Sequence, residues 1–131
     1  MWLKTGDIFR KRPNDGNKLA YAPMSTSSLV NAEGLSSIDV VLESGSGVMY
    51  DEAVWDSVTK RAEECGEPVC ILAGIYSDVE DDRYVTLELG TRSEMLKLLG
   101  ELEKQIGMTT NGIIYIRNLW ASSHDTIVHV D

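Results

Sequence analysis

The alternation of hydrophobic and polar positions becomes legible from residue 37 onward. Ile38-Asp39-Val40-Val41-Leu42 is a short β-branched run that stops at Ser44-Gly45-Ser46-Gly47, which predicts a strand followed by a loop. Val54, Trp55, Val58, Ala62 and Cys65 then recur at helical spacing. Asp51 stands where an N-cap would be, and Gly66 supplies the left-handed stop. After Pro68, the run Val69 to Tyr76 is apolar on both faces, the pattern of a strand in the middle of a covered sheet. Tyr84 to Leu89 alternates instead, with Val85, Leu87 and Leu89 on one side and Tyr84, Thr86 and Glu88 on the other, which predicts a half-exposed strand.

Thr91-Arg92-Ser93-Glu94 has the form of a capping box, in which each outer side chain satisfies an amide that the helix start leaves open. It predicts a helix with Met95, Leu99, Leu102 and Ile106 as its apolar stripe, Leu98 widening it and Gly107 ending it. Asn111-Gly112 then marks a turn, Ile113 to Ile116 a strand, and Thr126 to Val130 a last strand. The order is strand, helix, strand, strand, helix, strand, with one extra strand behind. It predicts the α+β class and a split β-α-β (ferredoxin-like) sandwich with both helices on one face of an antiparallel sheet.

Residues 1–36 read differently. Arg12-Pro13-Asn14-Asp15-Gly16-Asn17 is a dense turn signal, suited to a hairpin pairing Ile8 with Leu19 to Tyr21. Ser25 to Ser37 is polar, with few apolar anchors, and reads as a loop or short helix. The expected organisation is therefore a basic arm, hairpin and loop at 1–36 ahead of one core domain at 37–131. At 131 residues, with 43% hydrophobic and 25% charged positions, the chain has the makeup of one folded domain.

Charge sharpens that division. Twenty-one acidic residues against twelve basic ones leave a net charge of −9. Residues 1–20 carry Lys4, Arg10, Lys11, Arg12 and Lys18 against Asp7 and Asp15, so the remainder is more acidic than the whole. An acidic body disfavours nucleic acid and favours basic proteins, while the arm is suited to pairing with the body of a neighbouring copy. No apolar run approaches the roughly 20 residues of a membrane span, and Met-Trp-Leu-Lys lacks a signal stretch, which points to the cytoplasm.

Candidate chemistry is sparse. The two histidines, His124 and His129, lie near the C-terminus without a nucleophile pattern to serve, and no Cys/His spacing suits a metal. Cys65 at a helix end and Cys70 in a core strand read as buried free thiols. The chain is therefore expected to be non-enzymatic, without cofactor or metal. Four carboxylates in the five residues Asp78 to Asp82 are the most distinctive local feature. If the strand at 38–42 and the strand at 69–76 both run upward, Asp51, Glu52, Asp78, Glu80, Asp81 and Asp82 share one rim with the glycine loop.

That rim leads to the primary expectation: a binding or inhibitor module of the immunity or anti-defence type, engaging a basic protein through complementary charge. The alternative is a small-molecule or nucleotide binding domain acting as an oligomer. Its pocket would be built from Ser44, Gly45, Ser46 and Gly47, whose bare amides can face an anion, together with Arg10 and Arg12 of the arm.

Overall fold

The computed structural model describes residues 1–9, 28–44, 50–77, 82–108 and 112–120. The elements in chain order are β1 (Trp2–Lys4), β2 (Leu29–Asn31), a 3-10 turn (Ala32–Gly34), β3 (Ser37–Leu42), α1 (Glu52–Cys65), β4 (Val69–Ser77), β5 (Asp82–Thr91), α2 (Arg92–Met108) and β6 (Ile113–Tyr115). Residues 116–120 continue from β6 as a short helical turn. The class is mixed α+β. The hairpin expected between Ile8 and Leu19 to Tyr21 and the last strand at Thr126 to Val130 lie outside the described residues.

Both helix starts form as their local sequences dictate. The Asp51 carboxylate accepts from the amides of Ala53 and Val54 at 3.0 and 3.2 Å, and Gly66 closes α1 at φ 67°, where a side chain would be strained. At α2, Thr91 N–H donates to Glu94 Oε1 at 2.9 Å while Glu94 N–H donates to Thr91 Oγ1 at 3.3 Å, the reciprocal bonds of a capping box.

The strands form two three-stranded sheets. One has the order β3-β4-β5, all antiparallel, with β4 in the centre as its two-sided apolar pattern predicts. The other has the order β2-β1-β6, with β1 antiparallel to β2 and parallel to β6. A split β-α-β sheet would hold the first two strands of the core parallel and separated by a third. These pairings do not display that order, because β3 lies directly beside β4 and antiparallel to it.

The helices cover opposite faces of β3-β4-β5. Met95, Leu98 and Leu102 of α2 pack with Cys70, Leu72 and Leu87, while Val58 of α1 packs with Ile71, Ala73 and Leu89. Alternate residues of β4 therefore serve different helices, which is why the run is apolar throughout. Leu98 lies at the centre of the α2 stripe; Ile106, expected in it, is 38% exposed.

Residues 1–9 contribute to the same core. Leu3, at the middle of β1, joins Val30, Ile114 and Ile116 in the cluster that holds α2, and Ile8 is likewise buried. Cys70 is buried as expected, but Cys65 is exposed, since the last turn of α1 points it outward. Among the described residues no helix is long and apolar enough to cross a membrane.

Candidate functional site

The polar residues that the fold gathers lie along β5, where the sequence pattern predicts half-exposure. Tyr84 is exposed, but Thr86 and Glu88 are both buried, Glu88 completely. Two causes combine: α1 and α2 cover both faces of the sheet, and a β-bulge changes the side to which Glu88 turns. Leu72 pairs with Glu88 and Ala73 with Thr86, so Leu87 is an extra residue on β5 and the two-residue alternation breaks there. Leu87 enters the apolar cluster under α2, and Glu88 is taken out of solvent beside it.

A buried carboxylate requires compensation. Arg117, at the start of the 116–120 turn, supplies it through Nη1, which donates to Glu88 Oε1. Glu88 Oε2 has no hydrogen-bond partner among the described residues. Burial pushes the Glu88 carboxyl above its ordinary value, and the Arg117 charge and hydrogen bond, with the Leu89 backbone amide, only partly oppose that. The ion pair is asymmetric: the Arg117 side chain keeps 43% exposure while Glu88 has none.

Arg117 is held from two further sides. Its Cζ lies 4.5 Å from the centre of the Trp120 ring, one helical turn on. Its aliphatic stem runs against the backbone at Gly6, where an added Cβ would meet Arg117 Cβ at 2.9 Å and Cγ at 3.0 Å. Only glycine leaves room for that close approach.

A second arginine approaches the same ring from α1. Arg61 Cζ is 5.6 Å from the Trp120 centre, and its guanidinium donates from Nε to Glu94 Oε2 at 2.9 Å and from Nη2 to Glu94 Oε1 at 3.2 Å. This two-point geometry also fixes the capping carboxylate of α2, joining both helices at the Thr91 end of the sheet. Arg61 Nη1 donates to Ser57 Oγ one turn back on α1. Between α1 and the 116–120 turn a cleft of about 240 Å³ remains, floored by Val54, Val58 and Leu89 and edged by Ser57, Arg61, Arg117 and Trp120.

No match to this chain was found among protein-family models, curated proteins or solved structures. The geometry is therefore what speaks for the site. It has two guanidiniums on one indole ring, each tied to a glutamate, around a small apolar floor. Among the described residues no group of three or more His, Cys, Asp or Glu is placed to hold a metal ion.

None of the described residues among those expected from sequence lines this cleft. Asp78, Glu80, Asp81, Gly45, Ser46, Gly47, Arg10 and Arg12 lie outside the described residues. Asp51 is engaged in capping α1, and Glu52 is exposed on its first turn. Ser44 follows the end of β3, where Leu42 pairs with Cys70, whereas the backbone of Asp82 pairs with Ser77 at the far end of the sheet. Those two points are separated along β4 by roughly 23 Å at a strand's rise per residue. A shared rim presumed parallel strands; the antiparallel β3-β4 pair sends the exit of β3 and the β4-β5 connection to opposite ends.

No local pattern marks Glu88, Arg117 and Arg61 as one site, because their partners are far away in sequence. The signal that was present is Glu88 itself, a lone carboxylate between two leucines in a strand.

Proposed function

We propose that this protein is a small-molecule binding domain whose ligand occupies the cleft between α1 and the 116–120 turn. The observation that carries the reading is the pair Arg61 and Arg117 flanking Trp120 above an apolar floor. Binding sites are mostly apolar concavities with a few convergent polar groups, and this cleft has that makeup. It relocates the small-molecule alternative from the glycine loop and the arm to the β5 margin. At about 240 Å³ the cleft falls below the roughly 300–1,000 Å³ of drug-sized sites, which argues for a ligand smaller than a nucleotide.

The test is a thermal-shift screen of small ring-bearing fragments of all charge types against the full chain and a Trp120→Ala variant. A ligand at 100 times its Kd stabilises the native state by about 2.7 kcal/mol, a shift of several degrees for a domain of this size. Fragments that stabilise the wild type and lose that effect in Trp120→Ala support the reading. No shift from any fragment, or shifts insensitive to Trp120, would sink it.

A second reading keeps the acidic binding or inhibitor module that engages a basic protein. Its support is the outward face of α1, where Glu52, Asp56 and Glu63 are exposed at helical spacing. It predicts salt-sensitive binding to polylysine that Glu52→Lys with Asp56→Lys abolishes. Binding unchanged by that double reversal would count against it.

A further inference from the structure

Arg117 lines the cleft, and the arrangement of its buried partner Glu88 is unusual for a structural ion pair. Arg117 meets one carboxylate oxygen, Oε2 has no hydrogen bond of good geometry among the described residues, the only other support is the Leu89 backbone amide, and the whole side chain is shielded from water. A buried polar atom left in that condition calls for an explanation. Resting on the small-molecule reading above, we propose that the cleft takes compact organic monoanions and that Glu88 takes up a proton as they bind.

The charge arrangement leads there. Among the described residues the charged groups facing Glu88 are Arg117 from the 116–120 turn and Glu94 from α2, with Arg61 of α1 reaching it through Glu94. Across the sheet β4 places Leu72 opposite Glu88 and Cys70 two residues along, while after β1 the Gly6 backbone lies against Arg117. With Glu88 ionised, the two arginines and two glutamates balance. With Glu88 neutral, one positive charge is left over on the side of the cleft, where Arg117 is nearly half exposed.

An anionic group entering the cleft competes with Glu88 for Arg117. Every donor it takes removes support from the Glu88 carboxylate, which burial already disfavours, so the proton goes to Glu88 as the anion binds. The net charge of −9 on the whole chain opposes polyanions and leaves monoanions as the class that can approach. Val54, Val58, Leu89 and the Trp120 ring suit a flat apolar body behind the charge.

Calorimetry on the full chain with benzoate, benzamide and benzylammonium, between pH 5.5 and 8 in buffers of different ionisation heat, tests this directly. Benzoate should bind most tightly, with uptake of up to one proton and a Kd that rises up to tenfold per pH unit through the Glu88 titration. Glu88→Gln should keep benzoate binding while losing both the pH slope and the proton uptake. Should Glu88→Gln fail to fold, the proton count of the wild type decides alone. Preference for benzamide or benzylammonium, benzoate binding without proton uptake, or a pH slope retained in Glu88→Gln would each overturn the proposal. If the wider fragment set binds at the cleft and none of these three does, this inference falls and the binding reading stands; silence from the whole set removes the reading itself.

Discussion

Leu87 and Leu89 are two residues apart on β5, both fully buried or nearly so, and they lie in opposite environments. Leu87 faces α2 among Leu72, Leu98 and Leu102, an apolar interior with Glu88 buried at its margin. Leu89 faces α1, beside Ile71 and Val58, and also floors the cleft between Arg61 and Arg117. Regular alternation would place them on one face; the extra residue at the bulge separates them and delivers Glu88 between. One side of the sheet is closed and apolar, and the other ends in an open, charged margin. The first secures the fold, and the second is where the chain departs from what stability alone requires.

The matched pair of leucines gives the sharpest way to break that comparison. Leu87→Ala leaves a cavity in a closed interior and should cost about 4 kcal/mol, whereas Leu89→Ala borders a cleft that already admits solvent and should cost about 2–3 kcal/mol. Urea unfolding of both variants at one pH measures the difference. Equal losses would mean that the α1 side is as tightly closed as the α2 side and that the cleft is not an opening of consequence.

The next effect is electrostatic. Arg117→Ala leaves Glu88 buried without its counter-charge, but the loss has a ceiling, because Glu88 can take up a proton. From an ordinary value of 4.5, protonation at pH 7 costs about 3 kcal/mol. The wild type already bears part of that cost, because its Glu88 carboxyl sits above the ordinary value, so the deficit should stay below that figure at pH 7 and shrink as the pH is lowered toward 5.5. Glu88→Gln probes the same group in the wild type. A carboxyl held above its ordinary value keeps its proton in the native state to higher pH than in the unfolded chain. Its contribution to stability is thus greatest below the unfolded value and is lost as pH rises through the folded one. The stability of Glu88→Gln relative to wild type should consequently improve from pH 4.5 upward, read from denaturant midpoints across the range. A flat difference would mean that Glu88 titrates as an ordinary glutamate.

These contrasts also separate what the sequence reveals from what it hides. The caps were legible because they are written within four residues: Asp51 bonds to Ala53 and Val54, and Thr91 with Glu94 closes on itself. The central position of β4 was legible because both of its faces are apolar. β1 and β2 were not, since three residues are too few to display a period, and their pairing joins positions that sequence places about thirty apart. The bulge was hidden for the same reason: register exists only between two strands. Arg117 depends on Gly6 for its path and on Glu88 for its charge partner, and neither relation leaves a local trace. The direction of β3, which sets Ser44 away from the β4-β5 connection, was hidden at a different step, because a periodicity does not encode strand orientation.

The smallest effect expected isolates local from tertiary determination on the α1 side. Gly66 sits at φ 67°, and a Cβ built there would meet nothing within 4 Å. Gly66→Ala therefore adds no clash, and its whole cost is the left-handed backbone, about 1 kcal/mol. That loss should be independent of pH and of the state of Glu88, because α1 is pinned further back by Arg61 to Glu94. A cost near 1 kcal/mol that adds to that of Leu89→Ala would mean the end of α1 and the cleft floor are independent. A larger, non-additive cost would mean that the helix end sets the position of Arg61, and the charged margin would then be held by the turn at Gly66 as well as by the ion pair.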